Sequence, residues 1–224
     1  MKIGVLGTGT VGRTLATRLA ELGHTVSLGT RDVAATLARK AAEGRETLAD
    51  WQGKHRGLEV VTFAESAARG ELLVNATTGS RSLDALDLAK AENLRGKVLI
   101  DVSNPLDFSH GMPPTLLVKD TDSLAEQIQR AYPKARVVKT LNTVNSAIMV
   151  RPSTLAGGEH SVFMSGDDPA AKAIVADLLR SFGWKDIVDL GDISTARGVE
   201  MLMPLWLRLS STLGTARLNL RVVR

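Results

Sequence analysis

A doubly wound α/β fold, a mostly parallel sheet with helices on both faces, is the architecture this sequence predicts, and three observations carry it. Short apolar runs recur through the first 143 positions, separated by segments whose apolar residues fall at helical spacing. The first run, "KIGVL" (2–6), is short and apolar, as a parallel strand buried on both faces is. A glycine-rich turn, "GTGTVG" from Gly7 to Gly12, joins the first run to the first helical segment. After residue 143 the texture changes. A small α+β, largely helical part at 144–224 is expected to follow the large domain at 1–143.

Each element has its own signal. "KIGVL" (2–6) is the first strand, and "VGRTLATRLAELG" follows as a helix, with Val11, Leu15, Leu19 and Leu22 on one face and Gly23 as its stop. "HTVSLG" predicts the second strand and "VAATLARKAA" the second helix, after which "GRETLADWQGKHRG" reads as a surface loop with a helical turn. "LEVVTF" is a third strand, "FAESAARG" a short helix, "ELLVNAT" a fourth strand, "RSLDALDLAKAE" a helix and "KVLIDVSNP" a fifth strand. "SLAEQIQRAYP" and "ARVVKTLN" add another helix and a sixth strand. Beyond them, "SVFMSG" and "DIVDLGD" predict short strands flanking the helix "DPAAKAIVADLLRSFG", with Asp168 as its cap and Pro169 in its first turn. "TARGVEMLMPLWLRLSSTLG" is helical and unusually apolar, and Met201, Met203 and Trp206 within it read as core or dimer contacts. No internal repeat or low-complexity linker separates the two parts, so they are expected to pack closely.

Composition narrows the function. With 44% hydrophobic and 23% charged residues, the chain is ordinary for a soluble globular protein. No stretch reaches the roughly 18 apolar residues of a membrane span, and the run after Lys2 is too short for a signal peptide. There is no cysteine, which excludes disulfides, thiol catalysis and cysteine metal sites and fits a cytoplasmic protein. The net charge of +4 comes from dispersed cations such as Arg13, Arg18, Arg31, Arg39 and Lys40, and only 4% of residues are aromatic. That pattern argues against nucleic acid and for a polyanionic small ligand. The four histidines show no metal-ligand spacing, and no GxSxG nucleophile elbow appears.

The glycine turn identifies that ligand as a dinucleotide. Gly7 permits the tight turn, Gly9 lets the backbone approach a pyrophosphate, and Gly12 lets helix and strand pack closely; the helix start at Thr10 and Val11 then offers free amides to the phosphates. NAD-binding chains place an acid about 20 residues further on, to bond the ribose 2′-hydroxyl. Here "SLGTRD" has Thr30 and Arg31 instead. A hydroxyl and a guanidinium suit a 2′-phosphate, so NADP(H) is the expected cofactor. Asp32 is expected to cap the next helix, and Arg39 or Lys40, about two helical turns later, to add a second cation.

Ligands in open α/β sheets bind beyond the carboxyl ends of the strands. "NATTG" (75–79), "SNPLDF" (103–108) and "KTLNTVNSA" (139–147) end the fourth, fifth and sixth strands. Asn75 and Asn104 read equally well as turn formers bonding their own backbone, whereas the polar Asn142-Thr143-Val144-Asn145 run is placed near the nicotinamide. Lys139 is positioned either to protonate a carbonyl or to hold a phosphate.

Together, "KIGVLGTGTVGRTLATRLAELGHTVSLGTRD", "VNAT", "DVSNPLDFSHGMPPTL" and "VVKTLNTVNSAIM" resemble the F420-dependent NADP reductases, a Rossmann-type family related in fold to the oxidoreductase domain of the STEAP metalloreductases. The resemblance runs from Met1 to about Met203. It implies a homodimer in which Thr8 to Gly12 wrap the pyrophosphate of NADP and Thr30 and Arg31 take the 2′-phosphate. It further implies that Asn75, Ala76 and Thr77 line the nucleotide, while Asn104, Pro105, Asn142 and Thr143 surround the nicotinamide and a deazaflavin, coenzyme F420. The family's further cation after the Thr-Arg pair has no counterpart in "DVAAT". Thr8, Asn142 and Asn145 are the candidate contacts to the second substrate. Hydride would pass directly between the two rings, which requires proximity and orientation rather than an acid or base. The competing readings are an NADPH-dependent reductase of a flavin, a ferric complex or a small carbonyl or imine compound, and a non-catalytic NADP(H)-binding sensor.

Overall fold

The computed structural model describes residues 1–40 and 46–224. Six parallel strands form the body of one sheet: β1 (Lys2–Leu6), β2 (Thr25–Thr30), β3 (Glu59–Thr62), β4 (Leu72–Asn75), β5 (Val98–Asp101) and, after a short antiparallel hairpin of β6 (Leu106–Asp107) and β7 (Thr115–Leu116), β8 (Arg136–Thr140). β9 (Ser161–Ser165) and β10 (Asp186–Asp189) extend the same sheet, which has the order β10-β9-β8-β5-β4-β1-β2-β3. All neighbours are parallel except β8 and β9. The chain runs outward from β1 through β2 to β3, then returns to the far side of β1 with β4. The switch point therefore lies between β1 and β4, where a doubly wound sheet opens a crevice.

The α-helices among the described residues are α1 (Thr10–Glu21), α2 (Val33–Leu37), α3 (Leu48–Lys54), α4 (Phe63–Arg69), α5 (Ser82–Ala89), α6 (Ala91–Leu94), α7 (Leu124–Ala131), α8 (Ser146–Val150), α9 (Pro169–Phe182), α10 (Ala196–Met201) and α11 (Met203–Leu213). Adjacent strand residues feed two cores. Val98 and Ile100 pack on one face with Leu15, Leu19, Trp51, Val175 and Leu179, while Leu99 and Val137 pack on the other with Leu86, Leu124 and Ile128. A strand sandwiched this way is apolar at most of its positions, which is why the consecutive runs are legible as parallel strands.

The differences from expectation have local causes. The second helix ends at Leu37, and its expected continuation from residue 41 lies outside the described residues. The polar stretch after it is more than a turn of loop: Thr47 caps α3 at the Asp50 amide and Trp51 is buried beneath it. Lys90, at φ +70°, divides "RSLDALDLAKAE" into α5 and α6. Pro204 has no N–H to continue the α10 ladder, so the apolar terminal helix is two helices. The segment after Asn104 reads as loop but pairs as the β6–β7 hairpin, Leu106 opposite Leu116. No helix among the described residues is long and apolar enough to cross a membrane.

Candidate functional site

Gly7 and Gly12 meet the steric demands expected of them, and Gly9 faces open space. Gly7 lies at φ +119°, where a side chain is strained, and a Cβ there would sit 2.5 Å from the carbonyl oxygen of Ala76. A Cβ on Gly12 would overlap the carbonyl of Gly7 itself, whereas one on Gly9 would meet nothing and point into open space. That open space fits a pyrophosphate. α2, α3, α4, α7, α8 and α9 each have a capping side chain (Asp32, Thr47, Thr62, Ser123, Asn145 and Asp168), whereas α1, like α5, α6, α10 and α11, has none; its N-cap is Gly9 and its first turn holds no acid. Its first amides are left for an anion.

From there a cleft of about 620 Å³ runs over the ends of β1 and β2. Gly7, Thr8, Gly9, Thr30, Arg31, Ala76 and Thr77 line it, together with Arg13, Arg39, Lys40 and Arg81. Arg31 is exposed and makes no hydrogen bond or ion pair among the described residues. Asp32 is turned away, its carboxylate accepting from the Ala35 amide at 2.9 Å as the α2 cap. Thr30 departs from expectation. It is buried, with its hydroxyl 2.8 Å from that of Thr36, which in turn donates to the Asp32 carbonyl. The Thr30 proton therefore points to Thr36 rather than into the cleft.

The other half of the crevice, over β4, β5 and β8, is closed and fully bonded. Asn75 is completely buried; its amide donates to Asp101 at 2.9 Å and to Ser82 at 3.2 Å, and its oxygen accepts from the hydroxyl and amide of Thr77. It braces the loop carrying Ala76 and Thr77 as a turn former, its side chain spent inside the protein. Asn104 and Asn142 bond each other: Asn104 donates to the Asn142 carbonyl at 2.8 Å, and Asn142 donates to Asn104 Oδ1 at 2.9 Å and to the Val199 carbonyl on α10 at 3.0 Å. Leu141, at φ +60°, turns the chain so that Asn142 enters this pair. Pro105 and Thr143 are buried beside them, while Asn145 is half-buried and caps α8 through the Ala147 amide.

Lys139 is neither a proton donor to substrate nor a phosphate ligand. It is wholly buried and ion-paired to Asp101 and Glu200, both at 2.8 Å, and it donates to the Ser103 carbonyl at 2.5 Å. Burial alone would depress its pKa; the two carboxylates reverse this, and the net direction is upward. Sequence reading missed Asp101 and Glu200, although each was signalled as an acid in apolar surroundings, in "VLIDV" and "VEMLM". It also missed Arg13 and Arg81. A larger hollow of about 1120 Å³ lies at the opposite ends of the strands, beside Arg136. Its cations are already engaged, Arg130 by Asp122 and Arg136 by the Gly96 carbonyl.

A glycine turn at the switch point, an uncapped helix start and a cation-lined cleft over β1 and β2 define a Rossmann-type dinucleotide-binding fold. A family model for NADP oxidoreductase, coenzyme F420-dependent, matches residues 2–105. The F420-dependent NADP reductase of Methanocaldococcus jannaschii is 28% identical over 218 residues, spanning 94% of this chain and 92% of that protein. A crystal structure of a candidate F420-dependent NADP reductase from Arthrobacter sp. FB24 is 59% identical, covers both chains completely and superposes with a TM-score of 0.97. Metalloreductase STEAP3 of Rattus norvegicus is 30% identical over 210 residues, 92% of this chain, which spans 38% of that relative's length. The chain belongs to the family of coenzyme F420-dependent NADP oxidoreductases and is an NADP-dependent oxidoreductase.

Proposed function

We propose that this protein carries hydride between NADP(H) and coenzyme F420. The observation that carries the reading is end-to-end similarity to a candidate F420-dependent NADP reductase at 59% identity, joined to a cleft whose exposed cations suit a 2′-phosphate. A hydride leaves C4 of the dihydronicotinamide for C5 of the deazaflavin, which also takes up a proton, and oxidised NADP remains. The chain's own work is binding and alignment. The uncapped start of α1 holds the pyrophosphate, and Arg31 holds the 2′-phosphate with Arg39 and Lys40 beside it. Thr8 and the Asn104–Asn142 pair border the reacting end, and Asn145 faces the second substrate with the amide group its capping role leaves over. Residues 1–143 and 144–224 act as a nucleotide part and an acceptor part. The exposed Leu205 and Leu213 of α11 support a homodimer, which analytical ultracentrifugation would reveal as a doubled mass. The expected location is the cytoplasm, where an NADP(H) pool is available.

The test is steady-state reduction of F420 by the purified protein, followed as loss of the oxidised deazaflavin absorbance with NADPH or NADH as donor. Turnover with NADPH far exceeding that with NADH supports the reading. Tight NADPH binding without F420 turnover overturns the acceptor. It would favour the second reading, reduction of a flavin or ferric complex, which the 30% identity to a metalloreductase supports.

A further inference from the structure

The buried charge beneath the closed half of the crevice does not balance. Lys139 carries one positive charge among two acids, Asp101 and Glu200, and all three side chains are at most 1% exposed. The oxygens of both carboxylates face amides, the Ser103 hydroxyl and the Lys139 ammonium. Asp101 Oδ1 accepts from Asn75 and from the amide and hydroxyl of Ser103, and its Oδ2 accepts from Lys139. Glu200 accepts the amides of Leu124 at 2.8 Å and Ala125 at 3.1 Å as well as Lys139. Two carboxylates against one ammonium leave one negative charge, softened by the α7 amides but not cancelled. The other acid joining these helices, Glu126, is matched by Arg197.

The position of this charge follows from the topology. With the pyrophosphate at the start of α1 and the adenosine over β2 and Arg31, the remaining end of the dinucleotide extends over β4, β5 and β8. Asp101 ends β5, Lys139 is its register partner near the end of β8, and Ser103 and Asn104 stand two and three residues after Asp101. The oxidised nicotinamide ring is a cation and the reduced ring is neutral. Resting on the NADP(H) reading above, we propose that Asp101 and Glu200 bias the site toward the oxidised cofactor by holding an unbalanced negative charge under the ring. They are specificity-determining residues for redox state. Lys139 limits the bias and fixes the Ser103 carbonyl that leads into Asn104.

Dissociation constants of NADP+, NADPH and the ringless 2′-phospho-ADP-ribose, measured by calorimetry on the full chain, test this. Neutralising either acid, Glu200→Gln or Asp101→Asn, is expected to weaken NADP+ about fivefold to tenfold relative to NADPH. Affinity for the ringless analogue should not change. Asp101→Asn leaves the α7 amides untouched and serves if Glu200→Gln does not fold, thermal melting being the check. The double change Lys139→Met with Glu200→Gln restores the net charge of minus one while removing more contacts. Its NADP+ to NADPH ratio should return toward that of the unmodified protein. Parallel weakening of both redox forms, or a double variant no closer to the unmodified ratio than the single one, assigns the triad to structure alone and overturns the proposal. If the unmodified protein binds none of the three ligands, the NADP(H) reading falls and takes this inference with it.

Discussion

The two halves of the crevice are built on opposite principles. Over β1 and β2 the lining cations Arg31, Arg39, Lys40 and Arg81 are exposed, and Arg31 has no partner among the described residues. Over β4, β5 and β8 the polar groups are buried and bonded to one another, from Thr77 through Asn75, Asp101 and Lys139 to Glu200. An exposed cation costs little to keep and gains its partner when the ligand arrives. A buried network must be satisfied before any ligand comes, because each unpaired member would carry its full desolvation cost. On the proposed reading the open half would recognise the 2′-phosphate, and the closed half would position the nicotinamide and sense its charge.

Breaking the closed half should have the largest effect. Lys139→Met leaves two carboxylates buried without their shared cation, and urea unfolding should show a loss of about 3–5 kcal/mol. At the hinge between the halves, Gly12→Ala drives a methyl group into the Gly7 carbonyl. Calorimetry on protein checked for fold should find NADPH affinity reduced by at least about 100-fold, the cost of overpacking a site with nowhere to relax. The open half should respond more gently and only to the 2′-phosphate. Arg39→Ala and Lys40→Ala should each weaken NADPH by about threefold to tenfold and leave NADH unchanged. Thr30→Val sharpens the comparison, since its hydroxyl serves Thr36. NADPH affinity should stay within about twofold, and a tenfold loss would place that hydroxyl on the phosphate after all.

The smallest effect lies outside both halves. Arg130 holds the Asp122 carboxyl down to about 2 from 3.8. A depressed carboxylate stabilises the fold above its ordinary pKa, and that contribution drains away as pH falls through the shifted value. Arg130→Gln should therefore cost under about 1 kcal/mol at neutral pH, with the difference from the parent vanishing in acid between about pH 4 and pH 2. A chemical unfolding series across that range checks it.

The open half was also the legible one. Gly7, Gly9, Gly12, Arg31 and the capping of Asp32 lie in two stretches of six residues, "GTGTVG" and "SLGTRD", and follow from local chain geometry. Strands buried on both faces announce themselves by consecutive apolar residues, so the sheet could be read as well. The Thr30–Thr36 bond was not legible, because Thr36 sits one turn into a helix whose facing side has no apolar signature. The closed half stayed dark for a related reason. Lys139 looked like a functional strand-end cation, since nothing in the run "VVKTLN" shows that Glu200 arrives from a distant helix to neutralise it. Pairing across long stretches of chain has no period. An acid in an apolar helix can only mark that some partner must exist.

The most direct test of this division is the ratio of NADPH to NADH affinity in the unmodified protein and in Arg31→Ala, measured by cofactor fluorescence at fixed ionic strength. The account predicts a strong preference for NADPH that falls about 10- to 100-fold on substitution, as loss of a charge-assisted contact requires, with NADH affinity almost unmoved. Equal weakening of both cofactors, or an unchanged ratio, would contradict it.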